Sequence, residues 1–282
     1  MNALIRRFFS AESLVPQHRR LGDLPGDREG YRNISRIAVP SVSEMVLSSL
    51  IGSMDAMMVG ILGKNAIAGV NLPTQPRMIS LSLFFALNVG VTAIVARRKG
   101  EERREAANTT IRNALMLIVG LSLLVMALSL AFAEPLMRLA GGNTNTPDDA
   151  IVLQDAINYF KIMSFGLPFS ALSMCINAAM RGVGNTKLTL RVNIVSNLVN
   201  VVFNYLLISG NLGFPRLEVI GAALASVIGI VSGTVMAVVA ITSHKDSYLH
   251  IGRHDEWKFH PETLRGIVKL GGNAMVEQIS VR

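Results

Sequence analysis

A second cysteine is missing from this chain of 282 residues. Cys175 stands alone in an apolar run, so neither a disulfide nor a thiolate metal site is available. Charge is scarce too. Only 16% of residues are charged while 50% are hydrophobic, and the mean hydropathy is +0.43. Soluble domains carry nearer a quarter charged residues, so this balance points away from water and toward a membrane. Five intervals (78–96, 113–133, 162–180, 192–215 and 219–244) hold no Asp, Glu, Lys or Arg. About 20 apolar residues in a helix cross the hydrocarbon core, so each interval is long enough to span. The first 30 residues lack the apolar stretch of a signal peptide and read as a basic cytoplasmic extension. No nucleophile–base pair is evident, and nothing argues for an enzyme.

A sixth apolar run, Ile37 to Leu62, is interrupted only by Glu44 and Asp55. The pattern therefore predicts an all-α membrane protein, a six-helix transmembrane bundle. Its spans are expected near 34–60, 67–96, 108–133, 150–180, 188–209 and 219–242, with a kink where Pro168 follows Gly166. The net charge of +8 does not imply nucleic acid, because the basic residues alternate from loop to loop. The N-terminus and the even-numbered connections carry 21 of the 27 Lys and Arg, and the other connections carry 5. That asymmetry is the positive-inside pattern, which predicts a multi-pass inner or plasma membrane protein with a cytoplasmic N-terminus. Both N-x-S/T triplets, 33–35 and 108–110, fall on that same side and are discounted as glycosylation sites.

Residues 31–243 form the expected six-helix lobe, and 244–262 a polar cytoplasmic linker carrying Trp257 and Phe259, partly lying on the bilayer surface. From 263 the apolar pattern resumes as the start of a seventh helix, too short by residue 282 to finish a crossing. "KLGGNAMVEQI" (269–279) superposes without a gap on "RIAVPSVSEMV" (36–46), bringing Glu277 onto Glu44, a hint of internal duplication. Among the linker histidines, His250 and His254 are four apart, but no third metal ligand is evident. "RGVGNTK" (181–187) lacks a full phosphate-loop pattern and reads as a tight turn.

Glu44 and Asp55 are the two ionisable residues expected well inside the membrane. A carboxylate at mid-bilayer costs about 2.5–3.5 kcal/mol, so an unneeded one is rarely present. They lie eleven residues apart, three turns, and share one helix face. Pro40 stands one turn before Glu44 and frees a backbone carbonyl. The fifth span answers with Asn193, Asn197, Asn200 and Asn204, spaced i, i+4, i+7, i+11 along one face. Two readings stand for this stripe: interhelical hydrogen-bonding glue, or a polar cavity in which carboxamide oxygens help hold a proton or a small hard cation beside a carboxylate. Two stand for Asp55 as well, since Gly60 is close and the acid can instead snorkel to water. Met54, Met57 and Met58 around Asp55 suit an adaptable ligand surface or ordinary packing.

Several stretches together resemble the multidrug and toxic compound extrusion (MATE) transporters, in their NorM-like bacterial branch. They are "AVPSVSEMVLSSLIGSMDAMMVGILG", "GVTAIVARRKGEERREAA", "NAAMRGVGNTKLTL" and the asparagine-rich fifth span. The resemblance implies one lobe of a twelve-helix two-lobe transporter, plus the opening of the second lobe. It implies alternating-access export of drugs or toxic amphipathic and cationic compounds in exchange for protons or sodium. It implies an ion site at Asp55, Asn200 and Asn204, which would take sodium or a proton, with no cofactor beyond that ion. The helix-1 proline of the family matches Pro40, while Asn273 stands where the second lobe often has a proline. Archaeal relatives carry an aspartate at the place of Asn204. The full-length form is expected to be monomeric. A lipid-linked oligosaccharide flippase would show arginines within the spans, a channel would show charge rings, and a half-size fragment would act only as a dimer.

Overall fold

The computed structural model describes residues 26–243, 247–252 and 257–280. Most of the N-terminal extension, and with it His244 and His254, lies outside the described residues. Among those described, every regular element is a helix.

Helix α1 (Asp27–Gly60) runs through Pro40 without a break and begins ahead of residue 34. Apolar content marks where the bilayer starts, not where hydrogen bonding starts, so the polar turns in front of the span are helical too. The second span is two helices, α2 (Lys64–Asn71) and α3 (Thr74–Gly100), where the sequence pattern predicts one. Pro73 at the joint has no N–H to continue the ladder. Helix α4 (Arg104–Ala131) is followed by a short α5 (Ala133–Leu139), which buries Ala133 and Met137 in the stretch between the expected third and fourth spans. The fourth span bends by 48° between α6 (Pro147–Phe165) and α7 (Leu167–Gly182). The hinge is Gly166, one residue past the end of α6 and two before Pro168, as the sequence predicts. At the start of α6, Thr146 and Asp149 cap each other, side chain to backbone N–H in both directions at 3.1 Å. Helices α8 (Thr186–Leu207) and α9 (Glu218–Ser243) complete the six crossings, and α10 (Pro261–Ser280) follows the linker.

The main core lies among α3, α4 and α7, filled by Phe84, Ile111, Ile118, Ile176 and Met180, with Cys175 buried beside them. Helices α8 and α9 form the closest pair. Gly221, Ala225, Gly229 and Gly233 are four apart on α9 and make a stripe of small residues against α8. A Cβ on Gly229 would stand 2.6 Å from the Ser196 carbonyl oxygen and 2.8 Å from Asn200 Cβ, so the backbones meet there. Helix α1 is held chiefly by α8. Its other side exposes Val42, Met45, Val46, Leu50 and Met57, a surface for lipid or protein rather than water.

The linker differs from a strap lying on a bilayer. Leu249 and Ile251 are buried in the main core, and the backbone N–H groups of His250 and His260 donate to Asn108 Oδ1 (3.1 Å) and Asn113 Oδ1 (2.8 Å) of α4. Trp257 and Phe259 are exposed as expected, as are Lys258 and His260 beside them. Leu249 and Ile251 anchor the segment in the core, and Arg104 of α4 donates to the carbonyl oxygens of Ser247 (2.6 Å) and Tyr248 (3.0 Å).

Candidate functional site

The site is built where α1 and α8 run side by side. Asp55 Oδ1 accepts from Asn204 Nδ2 at 2.7 Å. The Asn200 carboxamide sits between Asp55 and Ser226 of α9, and its neighbours fix its orientation. With the nitrogen toward Asp55 it donates to both carboxylate oxygens at 2.9 and 3.0 Å, while its oxygen accepts from Ser226 N and Oγ at 3.2 Å each. The reverse orientation sets oxygen against carboxylate and amide N–H against N–H, and is disfavoured. Two carboxamides thus cap one acid, and both are buried. The Asp55 side chain is half-buried between α1 and α8.

Asp55 lines a cavity of about 390 Å³ together with Asn204, Ser226, Tyr159, Asn71 and apolar Val59 and Ala222. Tyr159, on α6, is buried with its hydroxyl beside Ser226. Neither Ser226 nor Tyr159 is marked out by the sequence pattern. The stripe of small residues on α9 is the signal that could have drawn attention to Ser226, because it brings that face of α9 against the asparagines.

Glu44 meets α8 as well: Asn193 Nδ2 donates to Glu44 Oε1. Both acid–amide pairs are separated by 149 positions in the chain. The helices are parallel and in one register, and Asn197 lies half-buried on the same stripe between the two pairs. Pro40 is half-buried below Glu44. Met54 and Met57 point away and are exposed, whereas Met58 packs against Val59 and its neighbours, so the three methionines do not form one surface. A proton on Asp55 neutralises the charge to which Asn200 and Asn204 donate and weakens their hold on it. Sodium would instead require Asn200 and Asn204 to rotate and present oxygen, since cations take oxygen ligands.

The MatE family model matches residues 40–206, more than half of the chain and the part that carries both acid–amide pairs. The chain belongs to the MATE family. Relatives include the uncharacterized transporter YisQ of Bacillus subtilis, 27% identical over 242 residues, covering 86% of this chain and 51% of that protein. The probable multidrug resistance protein NorM of Thermotoga maritima is 24% identical over 235 residues, covering 83% of this chain and 49% of that protein. Among solved structures, a MOP superfamily transporter from Pyrococcus furiosus superposes with a TM-score of 0.78 at 24% identity, covering 88% of this chain and 52% of that one. The MATE fold is thereby shown, as a multi-pass membrane bundle. The MATE family is one of transporters, not enzymes. The chain spans about half the length of the relatives it matches.

Proposed function

We propose that this chain forms the ion-coupled lobe of an exporter that expels amphipathic and cationic small molecules by alternating access, in exchange for protons or sodium. The reading is carried by one observation: Asp55, at a depth where a carboxylate is costly, opens on a cavity and is capped by Asn200 and Asn204. An ion that neutralises the acid releases those amides, so occupancy changes the attraction between α1 and α8. That gives the gradient a structural handle. The multidrug resistance names among the MATE relatives support the substrate class. The basic loops support a cytoplasmic N-terminus in the inner membrane, with the Asp55 cavity toward the outer side. The two-lobe whole is taken as monomeric.

The test is export by the full-length protein in liposomes, driven by a proton gradient alone or a sodium gradient alone. Asp55→Asn keeps the shape and removes the charge. It is expected to lower gradient-driven export by about 100-fold, the scale of a lost charge interaction of about 3 kcal/mol. Full gradient-coupled export by that variant overturns the assignment.

A further inference from the structure

Asp55 accounts for one of the two acids on α1; Glu44 remains. The span Ala38–Gly60 has its middle near residue 49, which puts Glu44 and Asp55 each about 8 Å from the midpoint, on opposite sides. Glu44 receives one hydrogen bond, from Asn193, and among the described residues no Lys or Arg pairs with it. A single neutral amide donor leaves most of a carboxylate's charge uncompensated. A fastening between two helices needs no charge, since a neutral carboxamide in place of Glu44 would accept the same bond. The acid calls for a further explanation.

Between the two acids, α8 supplies a carboxamide at every turn. From Asn193 to Asn197, Asn200 and Asn204 the rises are about 6, 4.5 and 6 Å, short steps for a small ion once the carboxamides turn their oxygens toward it. An ion leaving Asp55 toward the basic end otherwise faces hydrocarbon, where an unpaired charge is strongly disfavoured.

We propose that Glu44 and Asn193 form a second station for the coupling cation, on the cytoplasmic side of the midplane, joined to Asp55 by the carboxamides of Asn197 and Asn200. The inference rests on the reading of Asp55 as the coupling site. The ligand is a monovalent cation, sodium or a proton carried on water, because a carboxamide itself neither takes up nor gives up a proton near neutral pH. Asp55 takes it from the cavity, and Glu44 receives it on the way to the cytoplasm.

The experiment uses the full-length protein in liposomes and measures cation-driven substrate exchange, once with a proton gradient alone and once with a sodium gradient alone. In the arm that drives the wild type, Glu44→Gln is expected to lower the maximal rate about tenfold while leaving the half-saturating cation concentration within about twofold. Glu44→Asp, which keeps the charge, is expected to stay within about threefold of wild type. Asn193→Ala removes the bond but not the charge and is expected to lose less than Glu44→Gln. Wild-type rates in Glu44→Gln, equal losses in Glu44→Gln and Glu44→Asp, or a larger loss in Asn193→Ala would each overturn the proposal. Asp55→Asn is run beside them. If it too keeps coupled exchange, the reading of Asp55 has failed; if it alone loses coupling, only the second station has.

Discussion

At the scale of single residues, Asp55 is held by two amides whose own positions depend on a third group. Ser226 donates to the Asn200 oxygen through both its backbone N–H and its hydroxyl, which keeps the Asn200 nitrogen aimed at the acid. Ser226→Ala removes one of those two donors. It is expected to raise the half-saturating cation concentration of the full-length exporter by about fivefold, the equivalent of about 1 kcal/mol for one hydrogen bond. An unchanged ion response would show that the backbone donor alone suffices. Asp55, Glu44 and the four asparagines are legible in the sequence because acids and carboxamides are conspicuous inside an apolar run, and helical spacing puts each set on one face. Ser226 and Tyr159 are not. Serine and tyrosine are unremarkable on apolar helices, and they reach the acid only through the packing of α9 and α6, which local sequence does not record.

At the scale of elements, the closeness of α8 and α9 rests on residues without side chains. Gly229→Leu forces a branched side chain against Ser196 and Asn200. It is expected to cost about 1–3 kcal/mol and to lower the Tm of purified protein by about 5 °C. Gly120 faces open space, and a Cβ at that position would meet nothing within 4 Å. Gly120→Leu therefore serves as the control and is expected to leave Tm nearly unchanged. Helix number and kind can be read from charge-free intervals, because the length of an apolar run measures the bilayer directly. Breaks within a span can be read only in part. The Gly166–Pro168 bend is visible in the sequence, while the joint at Pro73 and the short α5 are not: Pro73 falls near the start of the second span and α5 just past the end of the third, where apolar patterning fades and tertiary contacts choose the ends.

At the scale of the whole molecule, the linker is bound to the bundle it leaves. Asn113 bridges it twice, accepting from His260 N and donating to the Lys258 carbonyl oxygen at 3.3 Å, while Arg98 reaches Thr263 at 3.1 Å. Helix α10 then crosses α3 closely, with Gly271 against the backbone of Ala86 and Leu87. Asn113→Ala removes the acceptor of the His260 N–H and the donor to the Lys258 carbonyl oxygen, and is expected to speed amide exchange over residues 257–260 by about tenfold, with α8 unaffected. Exchange at the wild-type rate would show that apolar burial alone fixes the segment. A linker is visible in the sequence as a polar interval; its docking is not, because the Asn108 and Asn113 side chains that receive it are 142 and 147 positions away from the groups they bind.

Helix α1 is fastened to α8 at Glu44 and again at Asp55, and among its described residues Val59 alone is buried. Two fixed points define a line. Swivelling about that line leaves both attachments in place, as a door turns on its pins, and sweeps Val42, Met45 and Met57 through an arc. Undoing one attachment frees a second kind of movement, in which the rod pivots about whichever point remains.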